Sequence, residues 1–472
     1  MDIGSRRECF FDTALLEEKE TTAVIRLHPP VRRGPVIVHD EPWEGNACGY
    51  HIIVRDGSRY RMYYRGWTIL TDTQLFCYAE STDGIRWEKP ELGICEWNGS
   101  RKNNILFTRS TLPVSDNFYV FLDDSPDCLP EQRFKAAALS GTPEKPELLS
   151  FFSADGIRFA PGHVLTDEGR FDSVNVVFRD SLTGKYRCYF RRFHPAEEDG
   201  RYIRKGEPVR DIRTMESEDF VRWTSPVLIR GMAEEEQQLY TNNLQPYYRA
   251  PHIYVGFPTR YIERRCWDDS FEQLCGKESR REKMKLGERL GLALTDTCFM
   301  TSRDGIGFRQ YEEAWCSPGS ENPQNWFYGD CYFAYGMIET PGDRPGSSPE
   351  ISLYCPEDYW APEPPKLVRY TSRLDGFASL RADGAERTVL TKPFVYEGSE
   401  LRVNFSTSAW GFVSFALIDG EGHAFESAYH FGDSTDRKIP FPDEAVRKLS
   451  GSEVRLRVRM RDADLYSIRF CD

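Results

Sequence analysis

Ser81-Thr-Asp-Gly-Ile-Arg-Trp87 returns as Ser153-Ala-Asp-Gly-Ile-Arg-Phe159, Ser217-Glu-Asp-Phe-Val-Arg-Trp223 and Ser302-Arg-Asp-Gly-Ile-Gly-Phe308, at intervals of 72, 64 and 85 residues. The chemistry is that of a β-hairpin turn. Ser and Asp side chains bond local amides, Gly permits a positive φ, and the aromatic packs the next strand. A looser fifth copy is read at Ser352–Trp360. Strand-like runs precede each copy, such as Leu75–Ala79, Leu148–Phe152 and Thr297–Met300. Alternating segments lie further upstream: Tyr50–Val54 with Tyr60–Tyr64, Val174–Phe178 with Tyr186–Phe190, and Ile253–Phe257. Each unit therefore reads as about four antiparallel strands.

Four-stranded units repeated four or five times predict an all-β fold, a five-bladed β-propeller over residues 1–372. Helical periodicity is absent over most of the chain, which excludes a helical solenoid. Glu263–Arg289 breaks the pattern and reads as a charged helical or irregular insertion in the fourth blade. After Arg373 the runs Thr388–Phe394, Leu401–Ser406, Gly411–Ile418 and Glu453–Met460 carry no further copy. Residues 373–472 are expected to form a β-sandwich, closed by Asp464–Phe470. With no dense aromatic platform visible, it is expected to be a buttress rather than a binding module.

Composition narrows the function. The net charge is −13, which argues against nucleic acid or an anionic membrane as partner. No apolar run serves as a signal peptide or a membrane span, and the 13 cysteines form no CxxC pair. A reducing, cytoplasmic setting is expected. Aromatics reach 14%, supplying strands and flat faces that stack on sugar rings.

In a propeller, polar residues just before each innermost strand converge near the axis. Blade one offers His39, Asp40, Trp43 and Glu44; blade two Ser115, Asp116 and Asn117; blade three Asp172 and Asn175. Blade four offers Glu234–Glu236, Tyr240 and Asn242, and blade five Asn322, Trp326 and Asp330. Amides and acids hold hydroxyls, aromatics stack, and paired carboxyls cut glycosidic bonds. Asp40 is the expected nucleophile or general base, Glu236 the general acid, and Asp172 the group that tunes or orients. Trp43, Asp116, Asn175, Arg191, Arg210, Asp211, Tyr240, Asn242, Trp326 and Asp330 are the expected substrate contacts. The basic strip Arg187–Arg213 fits an acidic sugar or a phosphate. No histidine spacing or Walker loop calls for a metal or nucleotide, so no cofactor is expected, although channel oxygens are compatible with a structural divalent cation. An oligo- or polysaccharide is the expected substrate, and a homo-oligomer is left open.

Several stretches resemble uncharacterised bacterial glycosyl-hydrolase-like proteins: Tyr78–Gly93, Asn103–Ile105, Phe171–Ser173, Arg210–Arg213, Leu239–Asn242 and Asp462–Tyr466. More distantly, the repeat pattern resembles five-bladed glycosidases of the invertase/levanase and arabinanase type. That resemblance implies a blade-one Asp, a second supporting Asp, a later Glu acid and a C-terminal sandwich. Here the invertase-type Asn-Asp-Pro-Asn motif is absent, Arg179-Asp180 is followed by Ser181, and Cys95-Glu96 reverses the Glu-Cys order. Glycoside hydrolysis is the leading expectation; a glycan phosphorylase and a non-catalytic saccharide binder are the alternatives.

Overall fold

The computed structural model describes residues 1–114, 116–231 and 233–472. Strands dominate, arranged as five four-stranded antiparallel sheets, one three-stranded sheet and one ten-stranded sheet. The first sheet takes Gly49–Asp56, Arg59–Thr68, Thr73–Ser81 and Ile105–Thr108, paired in chain order. The second takes Asp116–Leu122, Phe134–Gly141, Pro146–Ser153 and Ala160–Thr166; the third Val176–Arg179, Tyr186–Pro195, Pro208–Ser217 and Val227–Leu228. Leu244–Tyr247, Ala250–Gly256, Met300–Ser302 and Phe308–Gln310 make the fourth.

The repeated turn joins the third strand to the fourth. Asp83 Oδ1 accepts the amides of Ile85 and Arg86, both at 2.8 Å, while Ser81 Oγ accepts those of Asp83 and Gly84. Asp155 and Asp304 repeat the arrangement. The glycine serves a second end, because a tyrosine of an adjoining sheet donates to its carbonyl. Tyr63 reaches Gly156 at 2.9 Å, Tyr189 reaches Gly305 at 2.7 Å, and Tyr354 reaches Gly84 at 2.5 Å. At Gly156 (φ +72°) a Cβ would stand 2.8 Å from the Tyr63 hydroxyl. The motif is thus a docking device between sheets, and through Tyr354 the fifth sheet docks on the first. The third copy substitutes Phe220 (φ +64°), whose buried ring meets Phe121 and Phe152 of the second sheet instead.

The fifth sheet departs from the sequence reading. It holds Ile338–Thr340, Glu350–Glu357 and Lys366–Arg373, but its last strand is Val31–Val38. Ser352 lies mid-strand, so Ser352–Trp360 is not the fifth turn. That position falls at Ser372–Phe377, where Asp375 and Gly376 lead out of the sheet into Ala378–Ala382. The edge place was open for the N-terminal segment to fill.

The ten-stranded sheet is dominated by two long antiparallel strands, Glu400–Ile418 and Glu453–Cys471. Asp2–Gly4, Arg7–Cys9 and Val24–Leu27 also pair within it, against Phe394–Tyr396, Glu453–Cys471 and Ala378–Ala382. Ile3, Phe10 and Leu16 share one buried core with Val403, Phe415 and Leu456. A division at 372/373 therefore separates strands that pair with one another. The expected insertion is helical: α1 (Asp269–Gln273), α2 (Lys277–Met284) and α3 (Glu288–Leu292) follow Thr259–Glu263 of the three-stranded sheet. Asp268 caps α1 by accepting the amides of Ser270 and Phe271. Among the described residues no helix is long and apolar enough to cross a membrane.

Candidate functional site

Segments that enter the first strands of the sheets bring polar and aromatic groups to one pit. Tyr50 opens the first sheet, Asp116 the second and Asp172 precedes the third; Tyr240 precedes the fourth, while Tyr328 and Tyr332 lead into the fifth. Their contacts are continuous. The Tyr240 ring stacks on Tyr332 with centroids 5.4 Å apart, and its hydroxyl meets that of Tyr328 at 2.6 Å. Tyr332 lies 6.4 Å from Tyr50 and 6.2 Å from Tyr359.

Arginines from the second and third strands stand behind this tyrosine wall. Arg65, buried, sits 4.5 Å from the Tyr50 ring centroid and pairs with Asp116 at 2.5 Å. Buried Arg191 pairs with Asp172 and lies 5.4 Å from Tyr240. Arg210 stacks on Tyr240 and Tyr261 and donates to Gln238 Oε1 at 2.7 Å. From α3, Arg289 has its guanidinium held charged by Tyr261, Tyr328 and Tyr240, against the opposing effect of burial. Four cations thus face two carboxylates, in a protein that is acidic as a whole.

Burial raises the Asp172 carboxyl, but the charge and hydrogen bond of Arg191, helped by Arg210, overcome it and hold the group below the usual carboxylate range. About half of its side chain (54%) remains exposed. It opens onto a cleft of about 740 Å³ bounded by Asp72, Arg109, Val114, Leu139, Arg170 and Phe171. Tyr50, Tyr328 and Tyr332 are pushed up by burial and by neighbouring tyrosines, so they stay neutral donors.

The expected catalytic trio is not assembled. Asp40 follows Val31–Val38, the edge strand of the fifth sheet, and its side chain is 64% exposed beside Lys89. Val31–Val38 lies at the edge opposite Ile338–Thr340, the first strand of that sheet, which is why Asp40 misses the pit. Glu236 precedes Gln238–Leu239, a strand of the three-stranded sheet, and so sits one step outside. It accepts from His194 at 2.8 Å and lines a separate cavity of about 310 Å³ with Trp326, Gln237 and Tyr261. Burial lowers His194, but Glu236 and Asp211 outweigh it and raise its pKa. Asp172 alone of the three reaches the pit.

Among the expected contacts, Asp116, Arg191, Arg210 and Tyr240 reach the pit. Asn175 braces its own loop, donating to the carbonyls of Phe171 and Ser173, and Asn242 donates to those of Val174 and Tyr189. Asp211 is tied to His194 and Arg213. Trp43 packs inward and donates to Asn104 at 2.8 Å. Asp330 turns back to accept the Phe327 amide; burial lifts its pKa to about 7 despite Lys283 nearby. Ser115 lies outside the described residues. Of the basic strip, Arg187 pairs with Glu216, Arg192 with Glu168 and Arg213 with Asp211, while Arg191 and Arg210 reach the pit. Tyr50, Arg65, Tyr328, Tyr332, Tyr359 and Arg289 were not singled out from the sequence; Tyr50 was detectable as the residue leading into the first predicted strand.

A second polar group lies sealed behind the first sheet. Fully buried Glu44 accepts from His39 (3.1 Å) and Tyr64 (2.6 Å) through Oε1, and from Lys89 (2.7 Å) and the Glu41 amide (3.0 Å) through Oε2. His39 and His51 meet at 3.0 Å, one donating to the other. Burial would raise Glu44, but His39 and Lys89 bring it down to about 2. Metal-ligating atoms of His39, Glu44 and Cys48 lie within 4.8 Å of one another. The Lys89 ammonium already supplies the cation and the carboxylate oxygens are engaged, so the donor set does not fit a metal.

No family model and no curated protein matches the chain. Solved structures do. An N-acetylgalactosamine deacetylase from F. plautii, in complex with blood group B trisaccharide, has a TM-score of 0.45 at 12% identity, over 75% of this chain and 96% of that one. A glycosyl hydrolase from Bacteroides ovatus has a TM-score of 0.43 at 12% identity, over 73% and 94%. A structure described under the GH130 family of mannoside phosphorylases, with hydrolases that target beta-1,2 mannosidic linkages in Candida mannan, has a TM-score of 0.43 at 13% identity, over 74% and 94%. These likenesses assign no activity or residue to this chain.

Proposed function

We propose that the five four-stranded sheets close as a five-bladed propeller and that the pit at its axis cleaves glycosidic bonds in a soluble saccharide. The reading is carried by one observation: Asp116 and Asp172, from two different sheets, meet a wall of tyrosines there. Asp172, kept ionised by Arg191 and open to the cleft, acts as nucleophile or general base. Asp116 is the second carboxyl. The tyrosine faces stack on the sugar and their hydroxyls hold its oxygens.

The test is turnover on a panel of aryl glycosides and oligosaccharides. Asp172→Asn and Asp116→Asn should each lower kcat per folded molecule by about 10²–10⁴-fold, the contribution of a positioned acid or base. Asp40→Asn should be neutral. Full turnover by Asp172→Asn rejects the assignment.

A second reading is favoured by Arg210 and Arg289, which form no ion pair among the described residues. They would receive an anion. Inorganic phosphate bound there would attack the anomeric carbon as the glycosidic C–O bond breaks and the leaving oxygen takes a proton, giving a sugar phosphate. Cleavage that stops on removing phosphate, with sugar phosphate as product, selects phosphorolysis; cleavage indifferent to phosphate selects hydrolysis.

A further inference from the structure

The outer face of the ten-stranded sheet gathers aromatic side chains that lie apart in sequence. Pairing between Glu400–Ile418 and Glu453–Cys471 is interrupted between Thr407 and Phe412. The chain bulges there, with the Ser408 hydroxyl accepting the amides of Trp410 and Gly411 at 3.1 and 3.0 Å. A second segment returns beside the bulge: Val413 and His430 exchange both backbone hydrogen bonds, and the Thr407 amide donates to Gly432. Strand alternation then sets Phe412, Tyr429 and Phe431 on one face. The Phe412 and Tyr429 rings are 4.6 Å apart.

Trp410 is 74% exposed, Phe431 73% and Tyr429 61%. The Arg461 guanidinium lies 5.6 Å from the Trp410 ring centroid, and Tyr429 rests on Phe412. Beside them is a recess of about 260 Å³ lined by Ser414, Ser427, Tyr429, Arg457 and Arg459. Arg457 pairs with Glu426 at 2.9 Å and Arg459 with Glu386 at 2.7 Å. Their charges are matched, while serine hydroxyls and further guanidinium N–H groups line the same recess.

We propose that this face is a non-catalytic saccharide-binding platform. Grouped aromatic rings left in water mark an interaction site. Three rings of roughly 150–250 Å² each, about two-thirds exposed, offer on the order of 400 Å². That is half of the ~800 Å² per partner that a stable protein interface needs, so a second copy of the chain is poorly served. A sugar needs less: an apolar ring face for its C–H groups and neutral-on-balance donors and acceptors for its hydroxyls. Both are present side by side. The inference stands apart from the chemistry of the pit.

The experiment is affinity electrophoresis of the full chain in gels containing yeast mannan, xylan or galactan, with sedimentation velocity in parallel. Retardation in at least one gel is expected. Trp410→Ala combined with Phe431→Ser should weaken it about tenfold in Kd, the scale of one lost aromatic contact, with melting temperature and cleavage of small glycosides unchanged. Asp172→Asn should be retarded as the native chain is, so that failure of the pit and failure of the platform read separately. No retardation in any gel, or equal retardation of the double variant, overturns the proposal. A dimer that dissociates on the double substitution overturns it in favour of self-association.

Discussion

Tyr50 and His51 are neighbours on one strand, and so are Arg65 and Tyr64 on the next, yet each pair is split between two very different places. Tyr50 and Arg65 face the pit; His51 and Tyr64 face the sealed group around Glu44. Strand alternation divides Tyr64 from Arg65, and a left-handed turn at Tyr50 (φ +53°) with a register shift between Gly49 and Ile52 divides Tyr50 from His51. Both places hold carboxylates matched to cations. In the sealed group every Glu44 oxygen is occupied, so the charge holds the fold together and can do little else. In the pit half of the Asp172 side chain stays open, and among the described residues Arg210 and Arg289 form no close ion pair. Charge pairing does not by itself mark a functional site; pairing left incomplete beside a cavity does.

The contrast is broken first at Glu44. Removing its carboxylate strands His39 and the Lys89 ammonium in a buried setting. Glu44→Ala should cost about 3–5 kcal/mol, as loss of one partner from a buried ion pair does, measured by urea unfolding. Activity per folded molecule should persist. A mild effect on stability with loss of turnover would show that the two groups are wrongly distinguished.

Acid sharpens it next. Glu44 is held at about 2 against an ordinary 4.5, a difference of about 3 kcal/mol. A depressed carboxylate stabilises fully above its unfolded pKa and loses that contribution as pH falls toward the folded one. Stability should therefore drop between about pH 4.5 and 2, with Glu8 and Asp123, also lowered to about 2, adding to the fall. In Glu44→Gln the drop should be shallower by the Glu44 share. An unchanged acid profile in that variant contradicts the assignment.

The smallest effect belongs to the pit's cations. Arg289→Ala removes an arginine without an ion-pair partner, so stability should stay within about 0.5 kcal/mol. KM should rise roughly tenfold, in keeping with about 1.5–3 kcal/mol for a hydrogen bond to a charged group. If KM holds and the melting temperature falls, Arg289 is only packing the insertion.

How much of this was legible follows from how local each signal is. The turn copies could be read because Ser, Asp and Gly act within four residues. Asp116, Asp172 and Tyr240 could be placed because each opens, or stands four residues before, the first strand of a sheet. Asp40 misled because its segment pairs with Lys366–Arg373 at the far end of the chain, a partner that no local pattern reveals. Glu236 misled by one element, standing before Gln238–Leu239 rather than Leu244–Tyr247. Trp410, Tyr429 and Phe431 meet only once the Val413–His430 register is known, so no platform was visible beforehand.

The strand Val31–Val38 has a consequence for biosynthesis. It leaves the ribosome more than 300 residues ahead of its partner Lys366–Arg373. While the residues between are made, the leading segment waits with an unfilled hydrogen-bonding edge, and the fifth sheet lacks its last strand. A nascent chain stalled before residue 366 should be cut readily by protease within Val31–Val38, because that strand has been made and its neighbour has not.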